Sequence, residues 1–236
     1  MMLLVEDNIN RKFDYTTLDS LESCIDVEHF KNYKKTVSYN FNSRGFRDDE
    51  WPQDMSNVIW CIGDSFTLGL GQPFEETWPR LLQKSINKRC INIGEDGCSN
   101  DTIALRIQEI SKFYKPKLII VMWSFFARRR IGDINVQYSK SKEEFGLQAD
   151  LKNFLKNLEA TSGCADNIIH TTIPGPGLEQ EEPFFDLILK KRNLANMFVK
   201  YKQLDFSRDG FHFDIMTSES LVKNLLTKIN EIDKLL

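Results

Sequence analysis

Residues 58–65 read VIWCIGDS, a short apolar run that stops at a glycine and is followed at once by an acid and a serine. An apolar run of this length, bounded by a turn residue, is typical of a buried strand. Residues 77–86 then carry apolar side chains at helical spacing, and the early Pro79 is typical of a helix N-terminus. The sequence therefore predicts a strand followed by a helix, with Ser65 at the junction.

The same alternation continues along the chain. Residues 90–93 predict a second strand, 118–123 a central strand and 167–172 a further strand. Helical patterns lie at 99–115, 151–158 and 184–199, and a last helix can be capped by Thr217 or Ser218. Strands that alternate with helices predict an α/β fold in which a parallel sheet lies between helical layers.

Two regions do not fit this alternation. Residues 1–52 are predicted to be an N-terminal extension packed on the core, ahead of a regular domain at 53–236. Residues 128–150 are polar, charged and poorly periodic, so we expect a long loop there.

Composition narrows the class of partner. The 236-residue chain has 31 basic and 34 acidic residues, a formal net charge of −3, so no nucleic-acid or anionic-membrane surface is indicated. Its five cysteines are scattered without CxxC spacing, which predicts neither a disulfide framework nor a zinc site. The start, MMLLVED, lacks the features of a signal peptide, and no apolar run is long enough to span a bilayer. We expect a cytoplasmic protein without a membrane span.

The residues just after the predicted strands are the ones expected to form a site, because ligands bind at the carboxyl edge of an open parallel sheet. Ser65 follows the first strand near a helix start, where its backbone N–H can meet developing negative charge. Gly97 follows the second strand, and its N–H is a second candidate donor. The two positions predict part of an oxyanion hole.

The segment DGFH, which begins at Asp209, supplies the other groups that a serine nucleophile needs. A serine hydroxyl reacts at neutral pH only when a positioned base takes its proton and a third group orients that base. The short spacing lets Asp209 reach one imidazole nitrogen of His212 while the other nitrogen faces Ser65. We predict a nucleophile, a base and an orienting carboxylate in these three residues.

These motifs resemble those of the GDSL or SGNH hydrolases, a superfamily of serine esterases and lipases. The resemblance covers roughly residues 55–236 and includes the segment 71–82, and residues 42–47 (NSRGFR) are similar to an element ahead of the serine in some members. It implies a three-layer α/β/α sandwich with a flavodoxin-like parallel sheet of about five strands. It also implies that Ser65 is the nucleophile, that Gly97 is an oxyanion-hole glycine, and that Asp209 and His212 complete the triad.

One departure from the family pattern concerns the oxyanion hole. The superfamily usually has Gly-x-Asn-Asp after its third strand and uses the asparagine as a donor, whereas residues 123–128 read WSFFAR here. Losing one such donor typically costs about 10²–10³ in turnover. Ser124 and Arg128 are candidates to replace it, and Asp64 is a further candidate for the oxyanion and substrate site, although a turn-stabilising role is its alternative. The other possibility is that activity has been lost.

The resemblance implies an esterase that needs no cofactor and acts on a carbohydrate O-acyl ester or another small acyl ester. Asp64 has no partners at ligand spacing, so we predict no metal site. Two alternatives stay open: a non-catalytic binding or structural module with the same fold, and an O-acyltransferase. The acyl group, the alcohol and the oligomeric state are left open.

Overall fold

The computed structural model describes residues 3–15, 20, 28–137, 146–174, 187–188, 190 and 192–233. Its strands are β1 (Lys12–Phe13), β2 (Tyr39–Asn40), β3 (Ile59–Ile62), β4 (Cys90–Asn92), β5 (Leu118–Trp123), β6 (Arg128–Ile131), β7 (Ile134–Gln137) and β8 (Asn167–Thr172). Its α-helices are α1 (Glu28–Asn32), α2 (Ser65–Leu68), α3 (Trp78–Ile86), α4 (Asn100–Tyr114), α5 (Leu147–Thr161) and α6 (Ile215–Asp233). Short 3-10 turns lie at Glu6–Asn8, Phe74–Glu76 and Ala195–Met197.

The central sheet has four parallel strands in the order β4-β3-β5-β8. This is the order in which a flavodoxin-like sheet arranges its first four strands. The described residues form four of the about five predicted strands, and beside β8 they add a single parallel bridge, between His170 and Phe198. The Val199 N–H donates to the His170 carbonyl at 2.8 Å, so the chain runs along this edge without extending the ladder into a strand.

Alternate residues of the sheet face two separate helical layers, which is the predicted three-layer α/β/α architecture. Trp60, Ile62 and their neighbours at Ile119 and Val121 pack with side chains of α4 and α5. The residues between them face the other layer and pack with side chains of α3 and α6, as in the cluster of Ile59, Cys61, Ile120, Met122, Trp78, Leu82, Leu221 and Leu225. Because both faces are covered, the central strands β3 and β5 are apolar throughout rather than alternately polar.

The N-terminal segment contributes side chains to the interior. Leu3 and Phe46 belong to the core cluster on the α4 and α5 side. Arg47 is 1% exposed, and its guanidinium donates to the backbone carbonyls of Gly69 and Gln72, the latter at 2.9 Å. These contacts join the segment to the turn after α2, whereas a domain boundary at residue 52 stays a prediction.

The expected long loop at 128–150 is wrong for most of its described part. Strands β6 and β7 form an antiparallel hairpin that turns at Gly132 and Asp133, and α5 begins at Leu147. Polar contacts hold the hairpin against α4: the Arg130 N–H donates to Asp101 at 2.8 Å, and the Asn135 Oδ1 accepts from Ser99 and Thr102, both at 2.7 Å. The hairpin lacks the apolar alternation that predicts strands, because side-chain hydrogen bonds rather than a buried face fix its position.

The predicted helix at 184–199 is wrong for its C-terminal half; residues 184–186, 189 and 191 lie outside the described residues. Within 192–199 the chain forms the Ala195–Met197 turn and then runs extended beside β8. Residues 175–177 of the predicted glycine- and proline-rich turn also lie outside them. Among the described helices, none combines the length and apolar character needed to cross a bilayer.

Candidate functional site

Four segments meet at the carboxyl edge of the sheet and line an open cleft of about 340 Å³. Ser65 follows β3, Asp96 lies in the turn after β4, and the segment after β5 leads to Arg128 at the start of the hairpin. The loop before α6 brings in the acid and the histidine. The cleft is lined by Ser65, Asp96, Phe125, Arg128, Asp209, Phe211 and His212.

A continuous chain of contacts links the predicted serine, histidine and aspartate. The Oγ atom of Ser65 lies 2.8 Å from Nε2 of His212, and Nδ1 of His212 lies 2.5 Å from Oδ2 of Asp209. Ser65 and His212 are buried, at 2% and 3% exposure, although both touch the cleft. The Phe66 ring lies 4.4 Å from the imidazole between ring centroids and restricts its rotation.

The two carboxylate oxygens of Asp209 serve different purposes. Its Oδ1 accepts from the backbone N–H groups of Phe211 and His212, each at 2.9 Å, and thereby shapes the turn. Its Oδ2 is left to face the imidazole. Burial alone would raise the pKa of Asp209, but the hydrogen bonds from His212 and the two amides outweigh it and hold the pKa below its usual value. The orienting group is therefore stabilised as a carboxylate.

The loop that carries the acid and the base rests directly on the segment after the serine. The Arg208 N–H donates to the Gly71 carbonyl at 2.9 Å, and the Gln72 side chain donates to the Phe213 carbonyl at 2.8 Å. Gly71 has φ +77°, and a Cβ there would lie 2.3 Å from the Ser207 hydroxyl oxygen. Only glycine permits this close approach, which fixes the distance between the segment after Ser65 and the loop that carries Asp209 and His212.

Asp64, Ser124 and Arg128 form a polar triangle beside the serine. The Oδ2 of Asp64 accepts from the Ser124 hydroxyl at 2.6 Å and from the Arg128 guanidinium at 2.9 Å, and Arg128 also donates to the Ser124 oxygen at 3.0 Å. The Asp64 side chain is fully buried and that of Arg128 is 14% exposed. The other Asp64 oxygen caps α2 by accepting from the Phe66 N–H at 3.1 Å. Asp64 therefore stabilises the turn and also anchors a cation at the wall of the cleft.

Asn100, the first residue of α4, fixes the segment on which this triangle is built. Its Oδ1 accepts from the Ser124 N–H at 2.8 Å, and its Nδ2 donates to the Ser124 carbonyl at 3.1 Å. An asparagine thus lies next to the cleft wall, but it comes from a different segment than the family motif predicts. Its side-chain amide is already hydrogen-bonded to backbone groups of Ser124. The sequence after β5, considered alone, does not indicate that Asn100 lies at this position.

The turn after β4 places Gly97 in the left-handed region, with φ +67°. The N–H of Gly97 acts to lower the pKa of the preceding carboxyl group, that of Asp96. Asp96 is exposed to the cleft, yet reduced hydration raises its pKa, with the Asp64 carboxylate adding to the rise and His212 and Arg128 opposing it. Sequence reasoning passed over Asp96, although its place directly after a strand was the available signal.

The chain matches known proteins by its structure but not by its sequence. No protein-family sequence model matches the chain, and no curated protein sequence matches it. Several solved structures match the chain in fold. A family two carbohydrate esterase from Clostridium thermocellum, in complex with cellohexaose, matches with a TM-score of 0.56 at 14% identity over 80% of this chain and 68% of that one. A member of the lipolytic G-D-S-L family from Veillonella parvula matches with a TM-score of 0.54 at 19% identity over 72% and 96%. The esterase EstA from Pseudoalteromonas matches with a TM-score of 0.52 at 16% identity over 75% and 99%.

The chain has the SGNH-hydrolase fold.

Within this SGNH fold, none of the described cysteines lines the cleft, and neither His29 nor His170 does. Burial raises the pKa of the Cys98 thiol to about 12, and burial lowers the pKa of His170, which accepts from the Trp123 indole N–H at 3.1 Å, to about 4. His29 is exposed and contacts the Phe206 carbonyl at 3.0 Å. The described residues hold no cluster of three or more histidine, cysteine or acidic side chains suited to a metal ion.

Proposed function

We propose that this protein is a serine hydrolase that cleaves an ester through an acyl-enzyme on Ser65. The observation that carries the proposal is the contact chain from Ser65 through His212 to Asp209, which opens on a cleft. Two contacts of 2.8 and 2.5 Å on opposite nitrogens of one imidazole are the geometry that a general base and its orienting carboxylate require. A structural histidine has no need of a serine on one side and a carboxylate on the other.

In the proposed reaction, Ser65 Oγ attacks the ester carbonyl while His212 Nε2 takes the hydroxyl proton. The carbonyl oxygen becomes an oxyanion and then collapses, and the leaving alcohol receives the proton back from His212. Water, deprotonated by the same nitrogen, attacks the acyl-enzyme and releases the acid and free Ser65. Asp209 holds the imidazole in one tautomer and stabilises its charged form throughout.

The proposed oxyanion donors are the N–H groups of Ser65 and Gly97, with the Arg128 guanidinium in place of the family's asparagine. Arg128 lines the same cleft as Ser65 and is held there by Asp64 and Ser124. The Ser124 hydroxyl donates to Asp64, so its part is to position Arg128. A donor that is fixed before the reaction begins is the kind that stabilises developing charge most effectively.

The proposed substrate is a carbohydrate O-acyl ester or another small acyl ester. Phe125 and Phe211 supply apolar walls to the cleft, and charged side chains lie between them. Aromatic faces beside a few polar groups suit a sugar or a similar polar alcohol. The structural likeness to a carbohydrate esterase supports the same substrate class.

The test is Ser65→Ala, with hydrolysis of 4-nitrophenyl acetate and labelling by a fluorophosphonate probe as the readouts. Turnover should fall by about 10⁶-fold, to background, because the variant has no nucleophile. Ser85→Ala, which removes an exposed hydroxyl from α3, is the matched control and should change neither readout. A Ser65→Ala variant that hydrolyses the ester as fast as the parent would refute the proposal, and a folded parent that is never labelled would favour the non-catalytic alternative.

A further inference from the structure

The charges around the cleft do not cancel. Three carboxylates, those of Asp64, Asp96 and Asp209, lie close to one guanidinium, that of Arg128, and to the imidazole of His212. A cleft lined mainly by one sign of charge favours substrates of the opposite sign. Which ester the cleft accepts therefore depends on how these groups pair.

Two of the three carboxylates have partners. Asp64 is fully buried and forms an ion pair with Arg128 at 2.9 Å, so the guanidinium can donate a hydrogen bond to an oxyanion in contact with it but attracts a more distant anion little. Asp209 faces His212 at 2.5 Å, and the imidazolium that forms during the reaction is neutralised by it. Each of these pairs serves the chemistry proposed above.

Asp96 is the third carboxylate of the cleft, and it differs from Asp64 and Asp209 in its pairing. It lines the cleft with Ser65 and is exposed to solvent there. In the described part of the chain, no cationic side chain forms an ion pair with Asp96. One uncompensated negative charge therefore lies beside the proposed nucleophile.

We infer that Asp96 makes the site select esters by charge, favouring a cationic substrate over a neutral one and a neutral substrate over an anionic one. The inference rests on the proposed function, since it concerns the same cleft. It deepens that function by disfavouring esters with a carboxylate or phosphate close to the scissile bond. Arg128, the obvious candidate for binding such anions, already has its counter-ion in Asp64.

The experiment uses three acetate esters of two-carbon alcohols that differ in charge: acetylcholine, 2-hydroxyethyl acetate and acetoxyacetate. Acetate release is followed in a pH-stat and expressed as kcat/KM. A partly solvated unit charge should change kcat/KM by about fivefold in each direction, so we expect a cation-to-anion ratio of about 25 for the parent. Because both esters are measured on one preparation, the ratio is insensitive to the fraction of folded enzyme.

Asp96→Asn should bring the ratio close to one, and Asp96→Lys should invert it. Raised salt should reduce the parent's ratio, because exposed charges are screened. The matched control is Asp54→Asn, which removes the same charge from an exposed residue ahead of β3, at the amino edge of the sheet. This control should leave the ratio unchanged.

The possible failures are distinguishable. If the parent hydrolyses the neutral ester but shows a ratio near one, or if Asp96→Asn keeps the parent's ratio, charge selection is refuted and the hydrolase stands. If the anionic ester is preferred, Arg128 dominates the cleft and the inference is wrong. If no ester is hydrolysed and Ser65 is not labelled by the fluorophosphonate, the proposed function fails and this inference fails with it.

Discussion

Arg128→Gln tests whether a charged side chain has taken over from the missing asparagine. The substitution removes the guanidinium from Asp64, whose side chain is fully buried and keeps hydrogen bonds from Ser124 and Phe66. Breaking a buried ion pair typically costs 3–5 kcal/mol, and the two remaining hydrogen bonds point to the lower end, about 3 kcal/mol. For a chain of this size the corresponding decrease in melting temperature is about 6–12 °C.

Arg128→Gln should also lower turnover, and this loss should not depend on the loss of stability. If the guanidinium is an oxyanion donor, its loss should lower kcat for 4-nitrophenyl acetate by about 10²-fold or more, as for other single donors. The double variant Asp64→Asn/Arg128→Gln has no uncompensated buried charge, so it should regain most of the stability and none of the turnover. Urea unfolding and initial rates on the same preparations provide the two measurements.

The neighbouring pair of Arg129 and Asp150 supplies a matched control. Both side chains are largely buried, at 12% and 8% exposure, and neither lines the cleft. Arg129→Gln should therefore cost similar stability while leaving kcat within a few-fold of the parent. The reasoning is refuted if Arg128→Gln turns over like the parent, or if the double variant regains turnover together with stability, since Arg128 would then only support the turn at Asp64.

Two further predictions concern the other groups of the site and the sheet beneath it. The Asp209→Asn side chain keeps an oxygen that can accept from the turn amides but no longer enforces the imidazole tautomer. We therefore expect kcat to fall by about 10⁴-fold while the circular dichroism spectrum is retained. A loss of kcat smaller than tenfold would contradict the orienting role of Asp209. Burial lowers the pKa of His170 to about 4 from 6.5, so the unfolded chain takes up the proton first as pH falls. The histidine's contribution is complete above pH 6.5 and should be lost progressively towards pH 4, by about 3 kcal/mol in the free energy of unfolding. His170→Gln, which can still accept from Trp123, should lack this component in urea titrations at pH 7 and pH 4.5, and identical pH dependence in the two proteins would contradict it.

The layered fold could be predicted because its signals are local. The central strands β3 and β5 are apolar runs, and the helices that cover the sheet have apolar stripes. The strand at 118–123 and the helix at 151–158 were predicted within a few residues, since burial on both faces leaves no polar position to confuse the pattern. The contact of Ser65 with His212 was also predicted, from the spacing of Asp209 and His212 and from the family resemblance.

Features fixed by distant hydrogen bonds could not be predicted. The predicted cap of the last helix was Thr217 or Ser218, whereas α6 begins at Ile215 and Asp205 accepts from the N–H groups of Met216 and Thr217 at 2.7 and 3.1 Å. No local pattern places a capping carboxylate ten residues ahead of its helix. The pairing of Asp64 with Arg128, across 64 positions of sequence, is invisible for the same reason.

If, as proposed, Arg128 replaces a neutral asparagine donor, this exchange explains why the triangle of Asp64, Ser124 and Arg128 is needed. An asparagine amide can line an oxyanion hole without a counter-ion, but a guanidinium that is 14% exposed would be costly to bury alone. Asp64 offsets that cost because it is buried next to Arg128 and already held by the Phe66 amide and the Ser124 hydroxyl. The pair contributes a directed donor without net charge, and the charge that an incoming ester meets in the cleft is then that of Asp96.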